Sequence, residues 1–296
     1  MKKILYFDCS AGISGDMTLG ALIHLGVDIE ALKAELSKLN ITGYAISAQK
    51  GRLNGISGIN LIVETDDVDD GADAGANDND GTADGNGADN DNGADDAVAA
   101  GADIHELTLT NNEPHAHAHE HSSVHDHRSF KDILELIERS RLNDNVKKTA
   151  SDIFRVIAEA EGAVHDIATN EVVFHEVGAV DSIIDIVGAA ICIDMLNVDD
   201  IYCSPVHDGY GSIRCRHGLI PVPVPAVVEM LKHSEIQIIS EDVPTEMVTP
   251  TGLGILIGLN AKCGVMPQMK LLGAGYGFGK RCTGRFNALR IIMGQE

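Results

Sequence analysis

Ile4-Leu5-Tyr6-Phe7-Asp8-Cys9-Ser10-Ala11-Gly12-Ile13-Ser14-Gly15-Asp16-Met17 decides how the rest of the chain is read. A short apolar run stops at a carboxylate, a glycine-containing turn follows, and Ser14 stands where a helix would be capped. Ile4–Asp8 therefore reads as a buried strand. Ser14 onward reads as a helix with Leu19, Leu22, Ile23 and Leu25 on one side. Moving outward, a second amphipathic helix is predicted from Asp28, with Ile29, Leu32, Leu36 and Leu39. Strands are predicted around Tyr44–Gln49 and Ile59–Glu64. This strand–helix–helix–strand–strand order has no βαβ repetition. It points to an α+β fold, a mixed sheet with flanking helices.

Beyond Thr65 the composition changes to Asp, Gly, Ala and Asn with almost no large apolar residue, as far as about Asp103. Such a segment cannot offset its conformational entropy by burial, so disorder is expected there. A histidine-rich stretch follows. Order resumes at Ser129, a candidate N-cap for a helix carrying Ile133, Leu134, Ile137 and Leu142, and a further helix is predicted over roughly Val146–Glu161. The chain thus divides into 1–65, an acidic and His-rich insertion at 66–128, and a larger block at 129–296. Sixty-five residues make a thin core, so the two outer parts are expected to pack together.

Composition excludes several functions. The net charge is −23, there is no Trp, and aromatic residues make up 4% of the 296 residues. Neither a phosphate backbone nor stacked bases would be well received. The six cysteines contain no CxxC pair, so no structural zinc knuckle is indicated. The N-terminus turns polar at Asp8 before a signal-peptide core develops, and no apolar run is long enough to span a bilayer. A cytoplasmic protein with reduced thiols, no membrane and no nucleic-acid partner is the expectation.

The sharpest local signal lies in the insertion: His115, His117, His119, His121, His125 and His127 within fourteen residues of Pro114. Neutral imidazole favours nickel, copper and zinc, whereas calcium and magnesium prefer oxygen donors. Alternating histidines gather on one side of an extended chain, and i,i+4 pairs gather on a helix. A flexible tract suits loading and exchange of a metal. A solvated linker of drifted composition is the plain alternative, and the tract alone does not choose nickel over zinc.

Four further segments carry chemistry. In the opening loop, Gly12, Ser14 and Gly15 could cradle an anion at a helix start, while Asp8 and Asp16 could instead coordinate a metal; a capped glycine turn explains them equally well. In Phe174-His175-Glu176-Val177-Gly178-Ala179-Val180-Asp181-Ser182-Ile183-Ile184-Asp185, a buried strand at Val172–Phe174 is predicted to end in His175 and Glu176. Asp181 and Asp185 then lie one turn apart on an apolar helix. An unpaired carboxylate at Asp185 would be costly among isoleucines, and a nearby metal or cation would resolve that cost. In Pro205–Gly218, His207 is a candidate proton acceptor, and Arg214 and Arg216 alternate so as to clamp a phosphate or carboxylate if the segment is a strand. Pro225 suits the first turn of a helix. In Pro244–Gly254, Thr249 caps a helix opened by Pro250, with Thr251 beside it, and the run Gly275–Gly279 reads as a hairpin or ligand-contacting loop.

Together these motifs resemble the nickel-insertion proteins of nickel-pincer nucleotide cofactor assembly, the LarC family. The resemblance rests on Phe7–Met17, the His-rich insertion, Phe174–Asp185, Tyr210–Pro225 and Pro244–Gly252, in that order. It implies a CTP-dependent nickel chelatase, a cyclometallase of the lyase class. The substrate implied is pyridinium-3,5-bisthiocarboxylic acid mononucleotide, and the product serves lactate racemase. Members of the family continue past the position of Glu296 into a part that binds metal and nucleotide. CTP, with Mn2+ or Mg2+, is expected to bind that part, which a longer form of the same protein or a second chain would supply; the apo racemase is a further expected partner. The resemblance assigns no catalytic residue. From the loop chemistry, His175, Glu176 and His207 are the candidate catalytic groups. Gly12, Ser14, Gly15, Arg214, Arg216, Thr249 and Thr251 are candidates for binding the nucleotide, and the six histidines with Asp8, Asp16, Asp181 and Asp185 for binding nickel. A non-catalytic nickel chaperone or storage protein is the rival reading. A nucleotide-dependent phosphotransferase is disfavoured, because no Walker or kinase motif is present.

Overall fold

Ile4–Phe7 forms the middle of strand β1 (Lys3–Asp8), and burial on both faces explains its unbroken apolar run. A computed structural model of the chain describes residues 1–66, 128–174, 177–281 and 283–296. The elements that follow β1 are α1 (Gly15–Leu25), α2 (Ile29–Leu36), β2 (Tyr44–Leu53) and β3 (Ile56–Thr65). After the insertion come α3 (Phe130–Arg139), α4 (Asp144–His165), α5 (Val180–Leu196), β4 (Asp200–Cys203), β5 (Val206–Asp208), β6 (Ser212–Cys215) and β7 (Gly218–Pro221). The chain continues with α6 (Pro225–Lys232), β8 (Ile238–Ser240), α7 (Pro250–Gly258), β9 (Lys262–Cys263), β10 (Lys270–Phe278) and β11 (Ala288–Gln295).

Seven strands form one mixed sheet in the order β2-β3-β10-β11-β1-β4-β9, with β5-β8 and β6-β7 as separate small pairs. This is the mixed sheet with flanking helices that the strand and helix order implied. β1 is antiparallel to β11 and parallel to β4. β2 and β3 are joined through Asn54 and Gly55, both at positive φ (49° and 82°), as a two-residue hairpin of this twist requires.

Capping chemistry sets the helix starts. Ser14, Asp28, Asn143 and Thr249 each accept a main-chain N–H of the helix they open, and Ser129 with Asp132 completes a capping box. Pro225 and Pro250 occupy first turns, where the missing N–H costs nothing.

Helix α1 is apolar nearly all round because it is enclosed by protein on several sides, with β10 against one. The contact with β10 is unusually close. A Cβ at Gly275 would lie 2.0 Å from the carbonyl oxygen of Ala21, and one at Gly277 would lie 1.9 Å from that of Met17. The Gly275–Gly279 run therefore belongs to one arm of the β10–β11 hairpin and is not a ligand loop: most of it is strand, stripped of side chains so that a helix can lie on it. On another side Leu19 packs on Gly188 of α5, and Gly254 and Gly258 of α7 receive Ile157 and Ile153 of α4.

Two other expectations are corrected. Val172–Phe174 is not a strand of a sheet. A 3-10 turn at Thr169–Glu171 leads into it, and it forms a single bridge, Val173 to Ser129. Val172 and Phe174 are buried because Phe174 packs on Phe130 and Phe154, whereas Val173 faces outward. Leu142 lies beyond α3, since Ser140 closes that helix with both its N–H and its hydroxyl on the carbonyl of Ile137.

Replacing Gly277 by Ala should destabilise the fold by about 1–3 kcal/mol or more, because helix and strand backbones must separate. Gly55→Ala, at positive φ but facing open space, should cost only about 1–2 kcal/mol. Midpoints of urea unfolding for the two variants would order them. Equal losses would show that the helix–strand contact yields easily.

Candidate functional site

The opening loop, the Pro205–Gly218 segment and the Pro244–Gly254 segment are tied together by main-chain bonds. Ile13 donates its N–H to the Met247 carbonyl (2.9 Å) and accepts from Thr249 N–H (3.0 Å). His207 N–H donates to the Cys9 carbonyl at 3.2 Å. One carboxylate oxygen of Asp208, a wholly buried residue, accepts from Gly209, Met247 and Val248 N–H at 2.9, 2.7 and 3.1 Å. Burial still pushes the Asp208 carboxyl above the usual range, against the pull of those amides. Glycines make the approach possible. A Cβ on Gly12 (φ 84°) would sit 2.1 Å from the Met247 oxygen, and one on Gly252 would sit 2.5 Å from that of Ile13.

The fourth segment joins through α5. Asp181 lies in the first turn of this helix, and its carboxylate accepts the Ser182 N–H. Asp185 comes one turn later, against the start of α1, where a Cβ at Gly15 would lie 2.4 Å from its Oδ2. Its Oδ1 is shut off from solvent and has no hydrogen-bond partner among the described residues. Desolvation, then the negative charges of Asp16 and Asp181, push the Asp185 carboxyl well above the carboxylate range. The Asp181 carboxyl is pushed up as well, chiefly by desolvation. Lys280 opposes both. Desolvation alone would lower its ammonium pKa, but Asp16, 3.3 Å away, with Asp185 and Asp181, holds it above the ordinary lysine value.

Lys280 belongs to the loop between β10 and β11, whose role sequence reading missed. This loop presents three cations to three different segments. Lys280 pairs with Asp16 of the opening loop. Arg281 pairs with the carboxylate and carbonyl of buried Glu246 in the Pro244 segment. Arg285 pairs with Glu241, whose other oxygen lies 2.6 Å from His207 Nδ1. Three basic residues within six positions of an acidic chain were the available signal.

Several expected sites are otherwise engaged. Asp8 faces Arg290 across β1 and β11 and is held by it through two guanidinium nitrogens, so it does not join Asp16 as a ligand pair. Burial works against its ionisation, but hydrogen bonds from Ser10 and Arg290 hold its carboxyl below the usual range. Gly12 and Gly15 are covered by protein, and the Ser14 hydroxyl is bonded to Asp16. Asp16 also takes the Met17 N–H at 2.8 Å. The helix start meant for a phosphate is thus filled by the chain's own carboxylate. Thr249 caps its own helix, and Thr251 is buried. Arg214 and Arg216 are exposed on the β6–β7 hairpin, but β6 ends at Cys215 and Arg216 lies in the turn, so strand alternation does not pair them. His175, Glu176 and the six tract histidines lie outside the described residues. Among the described residues, no three His, Cys, Asp or Glu side chains converge as they would on a bound ion, and no helix is long and apolar enough to cross a membrane.

The family model for nickel insertion proteins matches residues 5–296. The chain belongs to that family. Similar curated proteins are the pyridinium-3,5-bisthiocarboxylic acid mononucleotide nickel insertion proteins of Acetivibrio thermocellus, Lactiplantibacillus plantarum and Geobacillus kaustophilus. They are 46%, 43% and 38% identical, over 99%, 98% and 99% of this chain. The chain spans 60%, 61% and 60% of their respective lengths. No solved structure matches it.

A carboxyl raised on folding is protonated in the native state at pH values where the unfolded chain has already lost the proton. Stability therefore falls as pH rises from about 4 through the native value. Asp185→Asn should remove that fall. The variant should match wild type near pH 4 and exceed it by about 1 kcal/mol or more at pH 7–8. Denaturant midpoints across pH would check this, and parallel curves for the two proteins would refute it.

Proposed function

We propose that this chain inserts nickel into pyridinium-3,5-bisthiocarboxylic acid mononucleotide to form the nickel-pincer nucleotide used by lactate racemase. The observation that carries this reading is the match of residues 5–296 to the nickel insertion family. Beside it stands the shared negative charge of Asp16, Asp181 and Asp185, with one Asp185 oxygen buried and without a hydrogen-bond partner among the described residues. The relatives' names supply the nucleotide. Nickel, the metal substrate, is gathered by His115, His117, His119, His121, His125 and His127 and is drawn toward the shared negative charge of Asp16, Asp181 and Asp185, which the Lys280 ammonium offsets. Mutual repulsion among three carboxylates makes a divalent ion a better counterion than one lysine.

Forming the nickel–carbon bond breaks a ring C–H bond, and the proton must go to a base. His175 and His207 are the two candidates, with Glu176 beside His175 in sequence. With Nδ1–H directed at Glu241, the lone pair of neutral His207 lies on Nε2, and that nitrogen would accept the proton. The thiocarboxylate sulfurs complete the set of bonds to nickel.

CTP dependence, with Mg2+ or Mn2+ on its phosphates, is assigned to the additional length of the relatives. The starts of α1 and α7, the two expected to receive phosphate, hold their own side chains. A longer form of the protein and the apo racemase would be the partners. A nickel carrier is the second reading, favoured by the lack of a converged ligand set among the described residues.

The deciding experiment incubates the chain with nickel, CTP and the pyridinium nucleotide, with and without the family's C-terminal part, and weighs the small-molecule product. A mass gain of one nickel less two protons is expected. Release of metal with no product would leave only the carrier. Removal of 105–127 should lower turnover several-fold at scarce nickel and little at excess. His175→Ala should abolish turnover at any nickel concentration, and full turnover would remove His175 from the centre.

A further inference from the structure

The carboxylate of Glu241 is shared between two partners of different kind. Its Oε1 lies 2.6 Å from His207 Nδ1, and its Oε2 accepts from the Arg285 guanidinium. The three residues come from separate parts of the chain. His207 is the middle residue of β5 and pairs in register with Ile239 of β8, after which the chain reaches Glu241. Arg285 sits in the β10–β11 loop. The backbone at both ends is fixed: His207 N–H donates to Cys9, and Glu241 N–H donates to the Asp208 carbonyl at 2.8 Å. Side chains alternate along β5, so buried Asp208 is turned into the joined loops and His207 is turned toward Glu241.

Hydrogen bonds from Arg285 and then His207 keep the Glu241 carboxyl below its ordinary range, so it is ionised at neutral pH. An ionised carboxylate only accepts hydrogen bonds. The proton of a neutral His207 must therefore stand on Nδ1, and the basic lone pair on Nε2. Arg285 in turn stops the carboxylate from rotating away, because its second oxygen is already held.

We infer that Glu241 and Arg285 are positioning residues that lock His207 in the Nδ1–H tautomer, with Nε2 as its proton-accepting atom. This deepens the proposed function and rests on His207 being the acceptor of the ring proton. A bystander histidine next to a surface ion pair would show no dependence of its tautomer on Glu241, and this separates the two possibilities.

The test is made on the full chain carrying 15N-labelled histidine, with the His207 signal assigned by its loss in His207→Gln. Wild type should show a protonated Nδ1 at neutral pH. Glu241→Ala should move His207 largely to the Nε2–H form. Arg285→Ala should give a mixture, and Arg285→Lys should restore most of the wild-type signal. In the insertion assay, with the C-terminal part present, Glu241→Ala should lower kcat on the order of tenfold to a hundredfold and leave the nucleotide KM within about twofold. An unchanged tautomer in Glu241→Ala overturns the inference. So does a full rate in that variant when His207→Gln is slow, and the acceptor role then survives alone. A full rate in His207→Gln overturns the acceptor role and the inference with it.

Discussion

Contact between helix α1 and strand β10, backbone on backbone, is the constraint on which the remaining structure depends. Gly275 and Gly277 remove every atom that would hold the two apart, and Gly20 does the same from the helix side, toward Ile59 and Gly277. This closeness fixes the depth at which α1 begins. Ser14, Gly15 and Asp16 are thereby set against α5, and the Asp185 carboxylate has room only because residue 15 lacks a side chain. A site made of loops acquires the precision of a sheet in this way.

Charge balance in the site follows from the same arrangement. Three aspartates would repel one another at the junction of α1 and α5, and a single half-exposed lysine moderates them. Lys280 comes from the loop that also supplies Arg281 and Arg285, and each of the three reaches a different acidic partner. The β10–β11 loop thus fastens segments that lie far apart along the chain. Exposed ion pairs contribute little stability singly, and the fixing of orientation is the larger effect here.

Local chemistry was legible in the sequence and long-range partnership was not. Ser14, Asp28, Ser129 and Thr249 as caps, and Pro225 in a first turn, mark helix starts within a few residues and could be read directly. Asp185 stood out because a carboxylate among isoleucines has few ways to be satisfied. Lys280 and Arg285 gave no comparable sign, since what defines them is a partner in another segment, Asp16 or Glu241. Gly275–Gly279 was legible as part of a hairpin but not as the seat of a helix, because glycine spacing in a strand looks the same whether a ligand or a helix fills the space. Arg216 misled because β6 is one residue too short for the alternation to reach it.

Placing β1 between β11 and β4 joins the first and last strands of the chain at the centre of the sheet, and Lys2 and Glu296 exchange main-chain bonds beside them. Residues Ala288–Gln295 must therefore leave the ribosome before Lys3–Asp8 finds its antiparallel neighbour. Until then that apolar segment has an open edge, and closing so long a loop is entropically slow. Nascent copies would be at their most vulnerable to aggregation just before Ala288–Gln295 emerges, when the other strands of the sheet have been made but its central seam is still unsewn.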